Sequence, residues 1–173
     1  MFQKTRKVCT TITRLSVLAD FTAFTYRVPD NHRHSIVIDI EIYVPVPIQG
    51  YPQDQKIPLR AKALIDTGAS RSAILNTFVQ AAKLVSYGRC TIRTAKDEYI
   101  SSVYSVDIMF PNRMMARGVR ASEFSGNHEF DFIIGMDILR MADVAITNAG
   151  GITVLSVRSP SAEKHIDFTK YLP

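Results

Sequence analysis

An all-β domain with one or two short helices is the fold class this sequence predicts. Three observations carry that expectation. Val, Ile, Thr, Tyr and Phe are plentiful and fall in short runs, the residue types that suit a pleated, half-buried surface. The clearest run, residues 35–44, alternates: Ile36, Ile38, Ile40 and Ile42 share one face, and Val37, Asp39, Glu41 and Tyr43 share the other. Clusters of Pro, Gly, Asn and Asp separate the runs, as at residues 29–33 and 148–151.

Composition bounds the rest. The 173 residues are enough for one domain with a substantial core. A hydrophobic share of 46% and a charged share of 21% are ordinary for a soluble globular chain. The net charge of +5 would favour an acidic partner, but the charges are scattered and form no long basic stripe, so nucleic acid is not an expected partner. Part of the excess lies at the start, in Lys4, Arg6, Lys7 and Arg14. Cys9 and Cys90 do not read as a disulfide framework. Arg14 and Asp20 interrupt the apolar stretch that a signal peptide needs, and no run reaches the length of a membrane span. A soluble, cytoplasmic protein is therefore expected.

Along the chain, residues 22–28 alternate and suit a strand, and residues 29–33 suit a turn. Pro45 and Pro47 end the strand over 35–44, and residues 49–55 form a loop. A strand over 57–65 follows, pairing with 35–44 as a long-looped hairpin. Residues 72–75 predict a short strand. Residues 76–84 predict a helix, with Asn76 as its cap, Phe78, Val79, Ala82 and Lys83 at helical spacing, and Gly88 ending the region. Strands are expected over 91–94, 99–110, 114–121 and 130–134, with a short helix over 136–141. Residues 145–147 and 152–157 bracket Asn148-Ala149-Gly150-Gly151 as a terminal hairpin. The segment after Pro160 is expected to be loosely ordered. No internal repeat is visible.

Two motifs carry chemistry. Ala63-Leu64-Ile65 runs directly into Asp66-Thr67-Gly68-Ala69-Ser70, so a strand delivers one carboxylate into a tight turn. The second, Ile133-Ile134-Gly135-Met136-Asp137-Ile138-Leu139, is an apolar strand that meets Gly and then a short helical pattern. Asp-Thr-Gly occurs once. Asp20-Phe21-Thr22 and Asp167-Phe168-Thr169 both lack the Gly, so chemistry that needs two facing carboxylates needs two copies of the chain. Asp137 reads as a first-turn helix carboxylate favoured by the dipole rather than as a catalytic group. His32, His34, His128 and His165 lack metal-ligand spacing, and Arg113, Arg117 and Arg120 read as a solvated face.

In Asp66-Thr67-Gly68-Ala69-Ser70 together with Ile133-Ile134-Gly135, the chain resembles the retropepsin-like aspartic proteases, single-domain relatives of pepsin. The resemblance spans roughly residues 36–157, and the extended second motif is similar to that of retrotransposon and bacterial or cellular members more than to the viral form. It implies a single-domain retropepsin-like acid protease barrel over 35–158. Residues 1–34 would be an N-terminal extension or extra strand, and 159–173 a C-terminal tail.

The resemblance further implies an aspartic endopeptidase that works as a homodimer, with the catalytic Asp66 of each chain at a two-fold axis. Two carboxylates that close share a proton and titrate as a pair. No cofactor or metal is called for, and the substrate would be an extended peptide or protein. Thr67 would bond across the dimer, and Gly68 would permit the turn and let backbone N–H groups approach the carboxylate. Ala69 and Ser70 would line the substrate path, Ala69 being small because substrate backbone passes close. Ser70 stands where viral members carry Asp, and Met136 where they carry the Arg that pairs with it. A flap is expected over 91–104 with its tip near Ala95-Lys96-Asp97-Glu98, so Thr94, Ala95 and Lys96 would touch substrate. Ile133, Ile134 and Gly135 are the structural second motif. The alternatives are a catalytically silent peptide-binding or dimerisation module of the same fold, and a nucleic-acid-associated protein supported only by the basic balance.

Overall fold

Strand β2 (Val37–Tyr43) turns Ile38, Ile40 and Ile42 inward, none more than 3% exposed, and a barrel closes round that stripe. The computed structural model describes residues 21–29, 35–44, 58–93, 98–126, 128–162, 165 and 167–171. Its remaining elements are β1 (Thr22–Arg27), β3 (Leu59–Ile65), β4 (Ala73–Leu75), α1 (Asn76–Ala81), β5 (Gly88–Arg93), β6 (Glu98–Met109), β7 (Met115–Phe124), β8 (Phe132–Ile134), α2 (Met136–Leu139), β9 (Asp143–Ala149) and β10 (Ile152–Ser159), followed by a 3₁₀ turn at Phe168–Tyr171. The expected all-β class with short helices is what the chain adopts.

The barrel runs β2–β3–β8–β4–β7–β6 and returns to β2, so six strands form a closed ring, with β5 added outside it on β6. β2 and β3 pair antiparallel from Val37↔Leu64 to Ile42↔Leu59, the long-looped hairpin that the alternation predicts. Closure is made by Glu41↔Met109, Ile42↔Ile108 and Tyr43↔Asp107. Where β6 meets β7 the register shifts between Val106 and Ile108, and Gly118, at φ +63°, donates its N–H to Asp107 Oδ1 at 2.7 Å.

Phe132, Ile134, Ile74, Val106, Ile108, Ala63 and Ala121 fill the barrel, all essentially without exposed surface. A second sheet, β1–β10–β9, packs on the same core through Phe24, Leu155 and Val157. The Phe24 and Phe110 rings stack with centroids 5.9 Å apart. Residues Gly150 and Gly151, at φ +61° and +74°, make the two-residue turn between Ala149 and Ile152, the left-handed pair that a tight hairpin requires. Within the barrel, Tyr104 OH donates to Glu123 Oε2 at 2.6 Å. Burial, with the carboxylate beside it, pushes the Tyr104 phenol up to about 12.

Several local expectations change. Asn76 does not cap α1: Leu75 holds the cap position and no side chain bonds there, because the chain passes from β4 into the helix without an intervening turn. Gly88 does not end the helical region but opens β5. The helix stops earlier, where Lys83 turns left-handed at φ +52° and Leu84 N–H reaches back to Val79 O at 3.0 Å. β7 extends to Phe124 rather than stopping at 121, and β8 is shortened to three residues. The loop over 49–55 lies outside the described residues. In the C-terminal segment, Asp167 Oδ1 accepts from Thr169 N–H and hydroxyl, and these bonds hold its carboxyl below the usual range.

Candidate active site

The topology brings the two motifs together. β3 and β8 lie parallel, with Leu64↔Ile133 and Ile65↔Ile134 in register, so Asp66 and Gly135 leave neighbouring strands at the same end. Asp66 N–H donates to Ile134 O at 3.0 Å. β8 also pairs antiparallel with β4 through Ala73↔Ile133, which puts β8 between β3 and β4. Residues 66–72 therefore arch across the end of β8, directly over Gly135.

That crossing explains Gly135. A Cβ there would lie 2.6 Å from Arg71 C, 2.8 Å from Arg71 O and 3.0 Å from Ala69 O, which leaves no space for a side chain. Met136 N–H closes the crossing by donating to Ala69 O at 2.8 Å.

Asp66 is half-buried at the mouth of the turn. Its Oδ1 accepts from Gly68 N–H at 2.8 Å and Ala69 N–H at 3.2 Å, while Oδ2 accepts from no group among the described residues. The turn thus fixes one oxygen with backbone donors and leaves the other open to a ligand. Gly68 contributes space rather than a left-handed turn: its φ lies outside that region, and a Cβ would sit 3.2 Å from Asp66 Oδ1. Thr67 and Ser70 are exposed and Ala69 is half-buried.

A second fastening was not expected from the sequence. Ser72, fully buried, donates its N–H to Asp137 Oδ2 at 3.0 Å and its hydroxyl to Asp137 Oδ1 at 2.8 Å. Ser72 Oγ in turn accepts from Gly135 N–H at 3.2 Å. Asp137 does lie in the first turn of α2, where its Oδ1 also accepts from Ile138 N–H at 3.1 Å. Its larger work is to bind the Asp66 loop to the second motif. Nothing in the local pattern around Ser72 announces this, because the partner is contributed by a distant segment.

The expected flap corresponds to the β5–β6 hairpin, paired from Gly88↔Val103 to Arg93↔Glu98. Thr94, Ala95 and Lys96 lie outside the described residues. At the hairpin's end Arg93 Nε and Glu98 Oε2 pair at 2.8 Å, and both side chains are largely exposed. Ile100 is on the same face of β6 as the buried Tyr104 and Val106, yet is 71% exposed. The ribbon thus carries the core-facing side of the sheet out beyond the barrel. His32 and His34 are outside the described residues, and no cluster of three or more His, Cys, Asp or Glu among the described residues could hold a metal ion. No helix among them is long and apolar enough to cross a membrane.

No protein-family model matches the chain, and no curated protein matches it. Among solved structures it is similar to a retropepsin-like aspartic protease from Rickettsia conorii, with 15% identity and a TM-score of 0.49, over 80% of this chain and 95% of that one. By its own geometry the chain is all-β; its described residues form a closed six-stranded barrel with two short α-helices, the Asp66 turn bound to the Ile133-Ile134-Gly135 motif.

Proposed function

We propose that this protein is an aspartic endopeptidase, active as a homodimer in which Asp66 of each chain shares one site. The observation that carries the reading is the Asp66 carboxylate itself. It is held at a strand end by two backbone N–H groups, open on one oxygen, and present once per chain.

In that dimer one carboxylate is ionised and the other keeps a proton. The ionised one takes a proton from water as the water oxygen attacks the peptide carbonyl carbon. The protonated one gives its proton to the carbonyl oxygen, forming a gem-diol. The first carboxyl then protonates the amide nitrogen, the C–N bond breaks, and a diol hydroxyl returns a proton to the second. Both carboxyls end as they began. Thr67, exposed beside Asp66, is assigned the bond across the two-fold axis. Ala69 and Ser70, with Thr94, Ala95 and Lys96 by their place in the sequence between β5 and β6, are assigned to an extended substrate, which adds to the protein as a strand. A cytoplasmic location rests on the sequence alone.

The test is digestion of a diverse peptide mixture between about pH 4 and 7; aspartic dyads titrate in the acid range. Wild type is compared with Asp66→Asn. Cuts made by wild type and lost in the variant support the reading. A folded, dimeric wild-type protein that makes no cuts points instead to a peptide-binding module of the same fold.

A further inference from the structure

Arg71 follows the Asp66 turn and takes no part in the proton transfers proposed for it. Arg71 is exposed, and its side chain makes no hydrogen bond or ion pair with any described residue. Its backbone, by contrast, is fixed. Arg71 C and O press against the Gly135 backbone, closely enough that a Cβ on Gly135 would come within 2.6 Å. The next residue, Ser72, is anchored by both of its donors to Asp137. Ser72 faces the interior with no exposed surface, so alternation along the entry to β4 turns Arg71 outward.

Neither carboxylate of the two motifs pairs with Arg71. Asp137 accepts from Ser72 N–H, Ser72 Oγ and Ile138 N–H. Asp66 Oδ1 accepts from Gly68 and Ala69. The turn doubles back, Ala69 N–H reaching Asp66 O at 3.3 Å, and Arg71 lies five residues beyond Asp66 on the same exposed loop. Met136, 38% exposed, is bonded through its N–H to the same loop at Ala69 O and adds an apolar neighbour there.

We propose that Arg71 selects an acidic side chain, an Asp or Glu, in the part of an extended substrate that lies near the Asp66 loop. A guanidinium is always charged and binds a carboxylate in a two-pronged geometry, and covering it with substrate strengthens the pair. The proposal rests on the proteolytic reading above and adds the substrate class to it. Arg71 is a specificity residue here; it takes no part in moving protons.

The experiment profiles a randomised peptide mixture with wild type, Arg71→Ala, Arg71→Glu, Arg71→Lys and the Asp66→Asn control. Preferred peptides are then remade with Glu changed to Gln. Wild type is expected to favour Glu over Gln at one position by about tenfold in kcat/KM, the scale of a partly desolvated charged pair. Arg71→Ala removes that preference, Arg71→Lys retains part of it, and Arg71→Glu shifts it toward Lys or Arg. Cleavage by wild type without acidic preference, or a preference that survives Arg71→Ala, overturns this proposal and leaves the protease reading standing. No cleavage by wild type overturns both.

Discussion

Ser72 Oγ and Asp137 Oδ1 are 2.8 Å apart in the fold and 65 residues apart in the chain. The same hydroxyl accepts from Gly135 N–H, so one buried serine ties the loop of the first motif to the backbone of the second. Removing it leaves a buried N–H and a carboxylate oxygen short of partners. Ser72→Ala is expected to cost about 2 kcal/mol of folding stability, the scale of an unmet buried hydrogen bond. Denaturant unfolding measures it, and a change within a few tenths would show that the link does not bear on stability. Asp66→Asn, at a half-buried site, is expected to leave the same unfolding curve nearly in place.

Two glycines separate steric from conformational cost. Gly135→Ala forces a Cβ into the Arg71 and Ala69 backbone and is expected to destabilise by about 3 kcal/mol or more. Gly118→Ala meets no atom within 4 Å but must keep φ near +63°, for about 1 kcal/mol. Thermal unfolding of both variants should rank them in that order; equal shifts would contradict the arch over β8.

Among the described residues Phe132 is the largest side chain with no exposed surface, and it lies on the strand between β3 and β4. Phe132→Ala is expected to cost about 3–5 kcal/mol through lost burial and the cavity left behind. Because β8 carries the second motif, the variant should also lose the Asp66 geometry. Amide exchange at Gly68 and Ala69 reads that loss directly, and unchanged protection there would separate the core from the site.

Tyr104 gives a pH signature. Its phenol is held neutral up to about 12, above the ordinary tyrosine value, by burial and by Glu123. The unfolded chain therefore gives up this proton first as pH rises. The stabilisation is complete below about pH 10 and is lost as pH passes through about 12. Tyrosinate absorbance should show a component near pH 12 that Tyr104→Phe removes. A titration of wild type complete by about pH 10.5 would rule out the buried pair.

The sequence carried the elements whose cause is local. Ile38, Ile40 and Ile42 announce β2 by alternation, and Gly150-Gly151 announces a tight hairpin by backbone freedom. The Asp66 turn and the Gly135 break were legible for the same reason, since each marks a place where a strand must stop abruptly. The Ser72–Asp137 link was not, because a serine beside a strand has no pattern that names a partner so far along the chain. Asn76 misled because capping residues are common wherever chains turn, and here Leu75 continues straight from strand to helix. Gly88 misled because a glycine reads as a stop, while the left-handed stop was taken by Lys83.

Ring closure has a bearing on misassembly. β2, β3, β4, β6, β7 and β8 each have a neighbour on both sides, whereas β1, β5 and β9 have one among the described residues. Among the described residues, those three strands offer the free edges on which a strand from another molecule could be templated. The seam between β2 and β6 is held by the pairs at Glu41, Ile42 and Tyr43 alone. If it parts, two further ladders become available at once, and the most buried stripe of the protein, Ile38-Ile40-Ile42, is offered to self-association.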